Sequence, residues 1–471
     1  MNEGRILAAM TTEARSAWAL PWGVGRPRRD STTAAFWEPL LVAVIALVWL
    51  TTLVIDFRVA LTLLMVIGFG AAAIGLRYPR LGLLGIGMLC TLNEMAGPLL
   101  LTGGLWRWNT VNYWLLVVAL LFLPHLLRWG QPQSRVLLVF ILLLGSEILL
   151  STDPGNGVQQ VLGVVSMFGL VIYFGRAALD LNAWYWLGVV SGVSAAGGCA
   201  AFLLQQGRLP WVNPNAWSYV PITAMLAICL AFVIHEGAPR RQFGLALLAM
   251  INSVWVFLSG SRGSLLVTAV CVAFFLTLTR LSRSVLLAMV AALVSIVILS
   301  QFTPLQDRAA TRLHLLIDPS RSLSERTSGR FDLALGGWYI FEDHPFGVGT
   351  GGFSANWADL GPREGLSPHF QVQHQHHAAH AAWAKVLVEN GFPGILLLAA
   401  YVCSFTVSGW RTRDARLLRL GLLVSAVLAV SWVSSEFQNK AVWLLAAGAS
   451  VLLERNSIGG LSRRANSIAR G

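Results

Sequence analysis

The sequence predicts an all-α polytopic membrane protein of about 12–14 transmembrane helices with one long, partly helical loop. Three observations predict it. The chain is 56% hydrophobic and only 12% charged, where a soluble domain carries roughly 25% charged residues. Apolar runs long enough to cross a bilayer, roughly 17 to 25 residues, follow one another along most of its length. The arginines concentrate in the short gaps between those runs, on alternate sides, as the positive-inside rule requires.

In order, fourteen candidate runs are found: 39–55, 59–76, 81–102, 112–127, 136–151, 158–175, 184–204, 216–235, 242–258, 264–280, 284–303, 388–408, 417–435 and 440–454. Several are short, so a count of twelve or thirteen stays open. With the N-terminus cytoplasmic, the cytoplasmic gaps hold Arg77 with Arg80, Arg128 with Arg135, Arg176, Arg240 with Arg241, Arg280 with Arg283, and Arg411, Arg413, Arg416 and Arg419. The opposite short gaps hold Arg58, Arg107, Arg208, Arg262 and Lys440, one each. The expected layout is a cytoplasmic tail over 1–35, membrane helices over 36–303, a periplasmic loop over 304–380, further membrane helices over 381–454 and a cytoplasmic tail over 455–471. Residues 1–35 lack a signal-peptide apolar core, which makes the first run an uncleaved anchor. Both termini face the cytoplasm, and the cell inner membrane is the expected location.

The net charge of +12 does not point to nucleic acid, because the arginines mark loops rather than a stripe. Cys90, Cys199, Cys229, Cys271 and Cys403 all fall within apolar runs. Their spacing matches no metal site, and no disulfide is expected. Gly347-Val-Gly349-Thr-Gly351-Gly352 is glycine-rich but has no lysine and Ser/Thr of a phosphate loop, so no ATP site is read from it. His376 and His380 are four apart and able to share a helix face, yet no carboxylate or cysteine completes a zinc set. No cofactor and no metal are expected, and the energy for any reaction comes from the substrate or a gradient.

The polar segment 304–380 is rich in histidine, and six of the chain's nine, His344, His369, His374, His376, His377 and His380, lie between 344 and 380. Four stretches in or beside it carry chemistry. Arg208-Leu-Pro-Trp-Val-Asn213-Pro214-Asn215 is a tight helix entry that Asn213 or Asn215 caps; a plain capped turn is the alternative, and the arginine is what adds function. Ser261-Arg262-Gly263 stands at a helix start, where free N–H groups and a guanidinium fork suit phosphate; a tight loop with one snorkelling arginine is the alternative. Ser328-Gly-Arg330-Phe-Asp332 precedes a patterned stretch from Trp338 that reads as an amphipathic helix ending at Pro345 and followed by the glycine-rich turn, with Arg330 a third phosphate contact or a solvated charge. His380 precedes a helix with Trp383 at its start, placed to take a proton from a hydroxyl; an interfacial histidine without a role is the alternative. Glu94 and Glu147 lie in apolar runs, where carboxylates are costly. They read as functional groups or as partners of a residue such as Arg107.

Taken in order, Asn213-Pro214-Asn215, Ser261-Arg262-Gly263, Arg330 with His344-Pro345-Phe346-Gly347-Val348-Gly349, and His380 with Glu389-x-Gly391-x-x-Gly394 resemble the O-antigen ligase and O-antigen polymerase superfamily of bacterial membrane glycosyltransferases. The resemblance spans about residues 205 to 395. The family often has Asn directly after this histidine, where this chain has Ala381, so His377 remains an alternate to His380. The resemblance implies a GT-C-type transferase acting on an undecaprenyl-diphosphate-linked glycan donor, independent of metal and nucleotide. The acceptor hydroxyl belongs to a glycan, a lipid A core or a second lipid-linked repeat. It implies His380 as base, Arg208, Arg262 and Arg330 on the diphosphate, and Asn215, Ser261, Gly263 and Glu389 in support. A ligase-like reaction is the leading reading. A polymerase and a protein-glycosylating enzyme are variants within the family, and a membrane transporter is the reading from a different class. Against the transporter, no paired broken helices occur at matching positions of two halves.

Overall fold

The computed structural model describes residues 31–99, 110–122, 132–177, 181–206, 214–235, 239–278, 318–327, 329–360, 365–367, 379–434 and 439–468. These are helical wherever they are regular. In chain order the helices are α1 (Ser31–Thr51), α2 (Phe57–Ile74), α3 (Pro79–Leu99), α4 (Thr110–Leu121), α5 (Pro132–Glu147, continued by a 3₁₀ turn Ile148–Leu150), α6 (Pro154–Ala177), α7 (Leu181–Gln206), α8 (Pro214–Ile234), α9 (Pro239–Ser259), α10 (Arg262–Leu278), α11 (Leu323–Thr327), α12 (Arg330–Asp343), α13 (Phe353–Asp359), α14 (Ala382–Thr412), α15 (Ala415–Ser434) and α16 (Lys440–Ile468).

Eight of the described helices are long and apolar enough to cross a membrane, and Trp37–Thr51, Val111–Leu121 and Arg262–Leu276 are shorter apolar ones. The chain is therefore an all-α, multi-pass membrane protein. The expected run at 284–303 and the histidines His369, His374, His376 and His377 lie outside the described residues.

The helix ends follow from local chemistry. Prolines open α3, α5, α6, α8 and α9, where the missing N–H costs nothing because the first turn has no partner for it. Asp56 caps α2, accepting a 2.7 Å hydrogen bond from the Arg58 N–H.

α8 is the hub. It packs against α3, α7, α9, α10 and α16, and 89% of its Trp217–Ile234 window is buried, against 28% for α5 and for α9. The peripheral spans instead leave leucines and valines exposed, among them Leu142, Leu247 and Leu422, as lipid-facing surfaces do. Small residues let backbones meet where no hydrophobic drive separates helix from lipid. At Gly85 of α3, a Cβ would stand 2.5 Å from the Ala72 nitrogen of α2.

The 31-residue α14 is not one helix in its backbone. Gly391 has φ 57° and ψ −151°, which divides it into a first part, 382–390, and a second part, 392–412. At 1.5 Å per residue the whole runs to about 46 Å, well beyond the hydrocarbon thickness, whereas the 21 residues after Gly391 give about 31 Å and match it. Helix α12 lies beside the first part and runs in the same direction. Gly337 faces Val388 and Ala384, and Pro345 just past the end of α12 accepts a 3.0 Å hydrogen bond from the Phe392 N–H. A small second core holds this layer together, with Leu333, Ile340, Val348, Phe353, Trp357, Leu366, Ala379 and Val388.

Gly85→Val forces the α2–α3 backbones apart. It should lower stability by about 1–3 kcal/mol, read as a lower unfolding temperature of the detergent-purified protein, with the Ala variant intermediate.

Candidate active site

Two of the three predicted arginines come together around the start of α8. Ser218 of α8 and Ser264 of α10 share a hydrogen bond of 2.5 Å, and the Ser261 hydroxyl donates to Ser264 at 3.0 Å. All three serines are buried. Three hydroxyls joined this way satisfy one another away from water, where an unpaired one would cost about 1–3 kcal/mol. They set the start of α10, and therefore Arg262, against the first turns of α8. Gly263 is buried beside them.

Arg330 opens α12 after Gly329, whose φ of 78° turns the chain into the helix. Its guanidinium is pushed down from its ordinary pKa by burial, and the Tyr219 phenol opposes that shift. Tyr219 follows Ser218, so consecutive residues of α8 face the helix starts that carry Arg262 and Arg330. Asn215 lies in the first turn of α8, while Arg208 and Asn213 lie outside the described residues.

His380 stands at the same end. Arg330 is about 20 Å along α12 from the Gly391 joint, and His380 is about 16 Å from it along the first part of α14, in the same direction. Ala379 and Leu333, neighbours of the two residues in sequence, are buried in one cluster. His380 is exposed and has φ 45°. With Arg413 it is one of two non-glycine residues with positive φ among the described residues. Such a backbone is costly and persists where the surroundings impose it, often at functional positions. Ala381 then starts the helix in an extended conformation, φ −146°. Trp383 donates from Nε1 to the Ala429 carbonyl of α15 at 3.2 Å and packs edge-on against Trp432.

Glu389 is not part of this end. It sits beside the α14 break and is buried. Its carboxylate accepts from the Phe353 N–H at 3.3 Å, from Gln160 Nε2 at 3.3 Å and from the Gly351 N–H. The glycine-rich turn is thus a packing device. A Cβ at Gly347 would stand 2.4 Å from the Glu389 carbonyl oxygen, and at Gly391 2.4 Å from the Pro345 oxygen. Glu147 accepts from Asn390 Nδ2, which also donates to Thr350 Oγ1 at 2.9 Å. The intramembrane carboxylate therefore has a structural partner, Asn390, which sequence reasoning did not single out. Arg107 lies outside the described residues, as does the side chain of Glu94. No group of three His, Cys, Asp or Glu residues able to hold a metal occurs among the described residues.

Ser264→Val removes the shared hydroxyl from the α8–α10 contact. It should destabilise the protein by about 1–3 kcal/mol, measured as a lower unfolding temperature, and Ser264→Thr should recover most of the loss.

None of the curated proteins compared with this chain matches it. Residues 244–399 match the family model described as O-Antigen ligase. That stretch runs from α9 through α10 and α12 into α14, and so includes Arg262, Arg330, the glycine-rich turn, His380 and the joint. Over this stretch the chain is similar to the O-antigen ligase family, which supports a membrane glycosyltransferase of the ligase or polymerase type.

Proposed function

We propose that the protein transfers a glycan from an undecaprenyl-diphosphate-linked donor to an acceptor hydroxyl at the periplasmic face of the inner membrane, as an O-antigen ligase does. The observation that carries this reading is the convergence of the helix starts bearing Arg262 and Arg330 on Ser218 and Tyr219 of α8. His380 stands at the same end of α12 and the first part of α14. The alternating arginine gaps support the orientation, with both termini cytoplasmic and this end outside.

The step is written as follows. The acceptor oxygen attacks the anomeric carbon of the donor sugar, and its proton passes to a ring nitrogen of His380, with His377 the alternate base. The bond from the anomeric carbon to the phosphate oxygen breaks, and the undecaprenyl diphosphate leaves with that electron pair. Attack opposite the leaving group inverts the sugar carbon. Charge grows on the diphosphate as the bond breaks, and guanidiniums fixed at Arg262 and Arg330 stabilise it there more than in the ground state. Arg208 is assigned to the same diphosphate. Asn215, Ser261 and Gly263 support the helix starts. The polyprenyl chain stays in lipid, so the site opens sideways to the bilayer. The chemistry requires no metal or nucleotide.

The test is glycan analysis in a deletion strain complemented with wild type, Arg262→Ala or His380→Ala at matched protein levels. A ligase predicts loss of long glycan on lipid A while polymer still builds on the lipid carrier. Accumulation of single repeats assigns a polymerase instead, and an unchanged profile in the deletion removes both. His380→Ala should lower turnover by about 10²–10⁴-fold with donor binding retained.

Lysine at either arginine keeps a charge but loses the planar fork. Arg262→Lys should therefore lose roughly tenfold or more in transfer rate. Arg330→Lys adds a pH dependence whose sign follows from burial, which disfavours the charged form of a base and lowers its pKa. A buried lysine starts from about 10.4 and shifts down. The variant should thus lose activity on the alkaline side, between about pH 8 and 10, where wild type holds its charge. A pH–rate profile of the two proteins checks it.

A further inference from the structure

The break in α14 is held from three directions, and none of those contacts touches the proposed reaction centre. The Glu389 and Val388 carbonyls accept from the Gly349 and Val348 N–H groups at 2.9 and 3.0 Å, and the Phe392 N–H donates to Pro345 at 3.0 Å. These bonds satisfy backbone groups that the break removes from the helix ladder. The side chains of Glu389 and Asn390 point to opposite partners. Glu389 reaches the Gly351–Phe353 backbone and Gln160 of α6, and Asn390 reaches Glu147 of α5 and Thr350. Asn156 of α6 closes the ring by donating to the Gly351 carbonyl at 3.1 Å. Asn390, Glu389 and Thr350 are buried, which is a large polar investment at a membrane boundary for a helix that would span without it.

We propose that this joint is a latch that sets the direction of the first part of α14, and so the position of His380 relative to Arg330. Glu389 and Asn390 are then positioning residues. The proposal rests on the reading of His380 and Arg330 given above, but the latch itself is a statement about geometry. The second part of α14, Phe392–Thr412, packs into the bundle with α15 and α5 and keeps its place whatever the first part does. Without Asn390 and Glu389 the hinge at Gly391 loses its side-chain ties, and the first part, 382–390, held then only by Trp383 on α15, the small core and the backbone bonds of the turn, shifts against α12. An error of about 1 Å between reacting groups is enough to cost on the order of 100-fold in rate.

The structure supplies a reporter that needs no activity. A Cβ at Gly337 would stand 3.9 Å from the Ala384 Cβ, within the range for a disulfide of about 3.5–4.5 Å. The full-length protein carrying Gly337→Cys and Ala384→Cys, with Cys403→Ser to remove the exposed native thiol, is oxidised with diamide in membranes. Free thiols are counted by maleimide mass-tagging, and transfer kinetics are measured before and after oxidation. This parent is compared with the same protein carrying Glu389→Gln or Asn390→Ala.

A latch predicts slower disulfide closure in both joint variants by about fivefold or more. It also predicts a fall in kcat on the order of 100-fold with donor KM little changed, and recovery of kcat once the disulfide has closed. Equal closure rates, or a kcat that stays low with the disulfide fully formed, overturn it. Should Asn390→Ala fail to accumulate, Glu389→Gln keeps the side-chain shape and decides alone. If the parent shows no glycan transfer, the proposed function fails, and the closure rates still decide the latch in either direction.

Discussion

A helix that breaks inside packed protein leaves backbone N–H and C=O groups that must find partners there, and the arrangement around α12 and α14 follows from meeting that demand at Gly391. The residues 345–353 bring their own backbone to the break, within distances only glycine permits, and the Glu389 carboxylate collects two N–H groups of the same turn. Once the turn is held there, α12 has to lie along the first part of α14, because only one residue separates the end of α12 from Pro345. The direction of α12 then decides where its start, with Arg330, comes to rest. A contact at the membrane boundary thereby sets a charge about 20 Å away.

The other fixed point is the start of α8. It is the most buried of the long spans, and a helix surrounded on all sides has little freedom to shift in a close-packed interior. Ser218 and Tyr219 therefore serve as a stationary reference against which Arg262 and Arg330 are placed. The two arginines arrive from different helices by different devices. Arg262 is set by a chain of buried hydroxyls and Arg330 by the packing of a whole helix. Each arginine is thereby positioned independently of the other.

Much of this was legible in the sequence. The apolar runs and the arginine-marked gaps gave the all-α membrane class, and Pro345 with the glycines after it marked the end of α12 and the turn. Arg262 stood out because a lone arginine on the disfavoured side of a membrane protein calls for a reason, whereas Arg330 read equally as a phosphate contact or a solvated loop charge. The length of α14 was less legible. Its expected run at 388–408 starts six residues late, because Ala382–Val388 is helical through its packing against α12 and does not need membrane hydropathy to be so. The bond of Trp383 to α15 was not legible either, since hydropathy reports an apolar ring and not the neighbour that receives it.

By itself the sequence determined that this chain is a helical membrane protein and which arginines and histidine stand in its loops, because hydrophobic length and charge placement are local properties of the chain. The tertiary structure alone decided the roles of Glu147, Glu389 and Asn390 inside the apolar runs and of Thr350 in the glycine-rich turn. They come from segments as much as 243 positions apart, the separation of Glu147 and Asn390. Whether a buried carboxylate is chemistry or scaffold depends on which donors surround it. Those donors are backbone N–H groups and amides whose proximity exists only after the helix has broken and the turn has closed on it.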